Sequence, residues 1–182
     1  MTIRPIRLFG DPILRTAADP VTDFDKQLRK LVKDLTDTLK DANGAGLAAP
    51  QIGVGLRVFA YHVDDQQGYL VNPGLDFPDE EEQDGDEGCL SFPGIYFDVK
   101  RRKNTVAQGF TDRGDPVQVV GSDVMARCLQ HETDHLDGVL FVDRMDTATR
   151  KAAMKAIREA DWNGGQVPPV KLSPHRITDR AY

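Results

Sequence analysis

A chain of 182 residues, 40% of them hydrophobic, is long enough for one globular domain with its own core. The formal net charge is -6 and the basic residues form no long run, which argues against a nucleic-acid partner. No stretch approaches the ~20 apolar residues that cross a bilayer, residues 1–7 lack a signal peptide's apolar run, and two cysteines make no disulfide framework. These features together predict a cytoplasmic protein with free thiols.

Phe24, Leu28, Leu31, Val32, Leu35 and Leu39 recur at helical spacing. They predict a helix capped by Thr22 or Asp23 and ended near Asn43 and Gly44. Residues 44–51 follow as a loop of small residues, in which Gly44 and Gly46 permit close backbone approach or positive φ; a plain helix stop and turn is the simpler alternative. Residues 56–63 read as a strand with Val58 and Ala60 on one face and Phe59 and Tyr61 on the other. A second strand covers 69–71 and is expected to stop at Asn72, Pro73 and Gly74. The acidic run 79–87 reads as a solvated turn, because calcium-loop spacing is absent.

Strands are predicted at 95–99, 105–110 and 117–120, joined by turns too short for crossover helices and therefore antiparallel. Ser122 or Asp123 caps the next helix and Gly138 stops it. Residues 139–142 read as a buried strand. Asp146 or Thr147 opens a last helix to about 160, with Ala153, Ile157 and Ala160 facing inward. From Asn163 the chain turns to Gly, Pro and polar residues, so a domain of 1–162 with an irregular tail at 163–182 is expected. The class is α+β, with antiparallel sheets around the second helix and further helices near the N- and C-termini.

That second helix carries the chemistry. His131 and His135 lie four residues apart with Glu132 directly after the first, the H-E-x-x-H arrangement. On a helix this spacing aims both imidazoles at one point with a carboxylate beside it, which suits a hydrolytic metal centre with Glu132 as base. A third ligand is needed. One group of proteases supplies a histidine six residues after the second, and here that position is Phe141. Glu159 on the last helix is a conceivable donor without any supporting pattern. Cys89 is the better candidate: its thiolate suits zinc or ferrous iron, and it stands between a glycine and turn residues. Cys128 shares the helix face with Val124, His131 and His135, but donors at i, i+3 and i+7 on one rigid helix converge poorly. It reads as a core or pocket-wall residue.

Three segments then carry a resemblance. Residues 44–51 (G-A-G-L-A-A-P-Q), 87–91 (E-G-C-L-S) and 130–136 (Q-H-E-T-D-H-L) resemble, in the same order, the three motifs of peptide deformylases. The resemblance runs from about residue 3 to 160. It implies that Cys89, His131 and His135 hold one divalent ion, characteristically Fe2+, with Zn2+, Ni2+ or Co2+ tolerated. It implies that Glu132 moves the proton, while the Gln51 side chain and the Leu90 N–H donate to the formyl oxygen. The substrates would be N-formylmethionyl nascent peptides, met near the ribosome and running extended beside Gly44 and Gly46. Val124 and Cys128 are candidates for the methionine pocket. Asp134 could orient a ligand histidine or be a surface carboxylate. Glu87 and Arg101 could form a pair fixing the Cys89 loop, with Arg101 equally readable as part of a solvated basic run. A zincin-like metallopeptidase using Glu159 is the alternative function.

Overall fold

The computed structural model describes residues 2–163, so the expected tail at 163–182 lies outside the described residues from 164 onward. Helix α1 spans Lys26–Ala42, strand β1 Gly46–Ala48, β2 Val58–Val63, β3 Gln66–Asp76, β4 Glu82–Gln83, β5 Asp86–Gly88, β6 Tyr96–Asp98, β7 Arg101–Arg102, β8 Asn104–Phe110 and β9 Pro116–Ser122. Helix α2 follows at Asp123–Leu136 and α3 at Thr147–Glu159. The class is α+β. Five strands form one antiparallel sheet in the order β1-β2-β3-β8-β9, while β4 with β7 and β5 with β6 make separate two-stranded sheets.

The large sheet is covered on both faces. Leu28, Leu31, Leu35 and Leu39 of α1 pack with Leu47, Val58, Ala60 and Val71. Phe59, Leu70 and Ala107 point the other way, toward Met125, Leu129 and Leu136 of α2. The alternation expected for β2 is therefore present, and it follows from the period-two pleat. A third cluster, Leu14, Cys89, Phe92, Val99, Phe141, Ile157 and Trp162, lies between α3 and the segment after β5. No helix among the described residues is long and apolar enough to cross a membrane.

Local chemistry moved several boundaries. α1 is capped by Asp25, not Thr22 or Asp23, because the Asp25 carboxylate accepts from the N–H groups of Gln27 and Leu28. Strand β3 does not stop at Asn72. It continues to Asp76 past an irregularity between Val71 and Gly74, where Asn72 has φ 51° and its side-chain amide pairs with both backbone groups of Val21. Proline is tolerated at such a bulge. Ser122 does occupy the N-cap of α2, but its hydroxyl donates to Asn104 rather than capping the helix. Gly138 ends α2 with φ 70°. Residues 139–142 are not a strand: Phe141–Asp143 form a 3-10 turn, closed by the Leu140 N–H on the Asp143 carboxylate. An apolar run this short is compatible with either form.

Candidate metal centre

α2 brings His131 and His135 to one face, and the segment after β5 brings Cys89 to meet them. The ligand atoms of all three lie within 4.8 Å of one another and all three residues are buried. Among the described residues no other His, Cys, Asp and Glu side chains gather in this way. The Cys89 Sγ is 3.2 Å from His135 Nε2 and accepts the Ser91 N–H at 3.4 Å. Two imidazoles and a thiolate make a set suited to zinc or ferrous iron, and three donors leave one position open.

The ring of His131 is oriented by Glu87, whose Oε1 accepts from Nδ1 at 2.7 Å. A carboxylate only accepts, so Nδ1 carries a proton and Nε2 is the nitrogen that faces the other donors. Asp134 does not orient either histidine. Its carboxylate instead receives Arg101 Nη1 at 2.6 Å and a two-pronged contact from Arg144 at 2.6 and 3.1 Å. The Glu87–Arg101 pair is present and buried, at 2.6 and 3.0 Å, so Arg101 is not part of a solvated run. Arg127 adds a second arginine to Glu87 at 2.8 Å. Burial alone would push the Glu87 carboxyl up, but hydrogen bonds from Arg101 and His131 outweigh it and hold it well below the usual range. Breaking a buried pair of this kind costs roughly 3–5 kcal/mol. Arg127 and Arg144 were invisible in the sequence, since no local spacing ties them to Glu87 or Asp134.

Glu132 stands beside the donors, 2% exposed, with Oε2 lacking any hydrogen-bond partner. Before any ion is counted, burial pushes its carboxyl up to about 7, against the lowering charges of His131 and Arg101. Gly46 makes room for it, because a Cβ at that position would overlap the Glu132 carboxylate. Gly46→Ala should therefore displace Glu132 and lower turnover by ~10²-fold, the scale of a 1 Å misplacement, with bound metal retained. Steady-state rates on metal-analysed protein check this; unchanged turnover would mean the carboxylate relocates freely.

Gln51 sits in a 3-10 turn at Ala49–Ile52, after β1. Its side-chain oxygen accepts the Ala48 N–H at 2.8 Å, which leaves the amide pointing to Ser91 Oγ at 3.1 Å and Cys89 Sγ at 3.5 Å. Leu90 is buried next to Cys89, and its N–H finds no acceptor among the described residues. Gly44 is packed between Leu39 and Leu90, each within 3 Å of where its Cβ would be. Val124 is half-buried on α2. Cys128 is buried and donates to the Ala45 carbonyl at 3.2 Å, burial pushes its thiol well up, and it is not among the side chains that gather at one point. Glu159 is exposed and paired with Lys155, and Phe141 is 1% exposed in the third core. Neither reaches the histidines as a ligand.

Comparison with known proteins agrees with this geometry. A family model described as polypeptide deformylase matches residues 3–151. The chain is 64% identical over 181 residues to a peptide deformylase of Acidothermus cellulolyticus, covering 100% of this chain and 99% of that protein. It is 58% identical to one of Parafrankia sp., covering 99% of each. Among solved structures it is similar to the peptide deformylase from Thermus thermophilus, with a TM-score of 0.81 and 39% identity over 86% of this chain and 94% of that one.

Proposed function

The chain belongs to the polypeptide deformylase family, and from that premise we propose how its own residues divide the reaction. It is a hydrolase that removes the formyl group from the N-terminus of nascent peptides, releasing formate. The observation that carries the residue assignment is the convergence of Cys89, His131 and His135 on one buried point with an unpartnered Glu132 oxygen beside it.

Cys89, His131 and His135 are the ligands in this reading. When bound, a divalent ion supplies Lewis acidity, lowering the pKa of water to roughly 7 and polarising the formyl carbonyl. Glu132 takes the proton of the attacking water and passes it to the amine as the carbon–nitrogen bond breaks. The Gln51 amide and the Leu90 N–H donate to the formyl oxygen as charge develops there, each worth ~3 kcal/mol when pre-aimed. Glu87 holds the His131 ring and tautomer. Strand β1 has a neighbour on one side only, so its outer edge can take an extended peptide beside Gly44 and Gly46. The methionine side chain enters between this edge and α2, against Val124 and Cys128.

Ferrous iron is the native ion in this proposal, with zinc, nickel or cobalt as substitutes in purified protein. The enzyme works in the cytoplasm, close to the ribosome that supplies its substrate. The catalytic domain in this reading is residues 1–162. The test is formate release from formyl-Met-Ala-Ser by anaerobically prepared, metal-analysed protein. Release by the iron, nickel or cobalt form is expected; none from any of the three, or cleavage of internal peptide bonds instead, overturns the reading.

A further inference from the structure

The two proposed oxyanion donors belong to different parts of the fold. Gln51 follows β1 of the five-stranded sheet, whereas Leu90 follows β5 of a separate two-stranded sheet. Among the described residues no backbone hydrogen bond joins 49–53 directly to 88–92. The Gln51 amide reaches across to Ser91 Oγ and Cys89 Sγ, but a side-chain donor that turns to the substrate cannot also fix the spacing of the two backbones, and residues 6–9 are the candidate for that.

The Arg7 N–H donates to the Gln51 carbonyl at 2.7 Å, and the Phe9 N–H donates to the Ser91 carbonyl at 2.9 Å. The two donors are two residues apart, so one short segment bonds to both walls. Its side chains repeat the connection. Ile6 packs into the cluster of Ala49, Ile52 and Leu90, while Leu8 and Phe9 pack into that of Cys89 and Phe92, with the Phe9 and Phe92 rings 4.9 Å apart. Between them Leu8 offers an N–H that donates to nothing among the described residues.

We propose that residues 7–9 are a splint, and that Arg7 and Phe9 are positioning residues whose backbone N–H groups hold the Gln51 turn and the Cys89–Leu90–Ser91 segment at the distance the oxyanion requires. The splint supplies no metal ligand and packs beside Cys89 through Leu8 and Phe9. Its effect is on kcat, through donors that matter only as charge develops. This rests on the deformylase reading of Gln51 and Leu90.

The test replaces single residues by their α-hydroxy acid counterparts, which exchange the backbone N–H for oxygen and keep the side chain. Esters at 7 and at 9 should each lower kcat ~10-fold while KM and bound metal stay within about twofold, a partial misplacement. The ester at 8 removes an unused N–H and should leave kcat unchanged. The parent protein is assayed first: no formate release there refutes the deformylase reading itself. With an active parent, unchanged kcat per bound metal at both 7 and 9 overturns the splint. Equal slowing by the ester at 8 also overturns it, as general damage to the segment. The positions are independent, so failure of one ester to fold leaves the other to decide.

Discussion

Glu132→Gln is expected to keep the bound ion and lose ~10²–10⁴-fold in turnover, the usual scale for a positioned general base. Glutamine preserves the volume beside Gly46 but cannot accept and return a proton. The loss should fall on kcat with KM little changed, because in the proposed mechanism Glu132 acts on water and leaving amine and does not hold the peptide. The pH profile offers a second check. The carboxylate form is the active one, and burial raises its pKa to about 7 before the positive charge of an ion pulls it down. Activity should therefore fall as pH drops below that range, and this acid limb should vanish in the glutamine variant. Near-normal turnover in Glu132→Gln would remove it from the mechanism.

Cys89→Ala should lose stoichiometric metal on dialysis, with activity lost in proportion. Even removing a residue that merely supports a ligand costs ~10–100-fold in affinity, so deleting a ligand costs more. Metal content by elemental analysis decides it. Retained stoichiometric metal would require another third donor, and Glu159, the sequence alternative, is exposed on α3 and paired with Lys155. Glu159→Ala should change nothing.

The helix face of His131 and His135 was readable because helical spacing is a local property, and the partnership with Cys89 because three contiguous motifs carried it. The apolar stripe of α1 and the alternation along β2 were readable for the same reason. What escaped was long-range. The partner of His131 is Glu87, 44 positions away, and Glu87 meets Arg127 at a separation of 40. Nothing in a window of ten residues distinguishes these arginines from solvated ones. Residues 7–9 escaped because their backbone, not their side-chain types, makes the contacts. The run 139–142 misled because hydrophobicity reports burial and not geometry. The strand through Asn72 and Pro73 misled because a bulge reads locally as a stop.

The single tryptophan of the chain gives this architecture an optical handle. Trp162 is buried, its indole N–H donates to the Pro93 carbonyl at 2.8 Å, and its ring meets Phe92 edge-on at 6.3 Å. Pro93 and Phe92 belong to the turn that directly follows Cys89, Leu90 and Ser91. Intrinsic emission from this protein therefore comes from one site at the back of the cysteine's turn. Its wavelength and intensity report on that turn and the core around it, with no second indole elsewhere to dilute the signal.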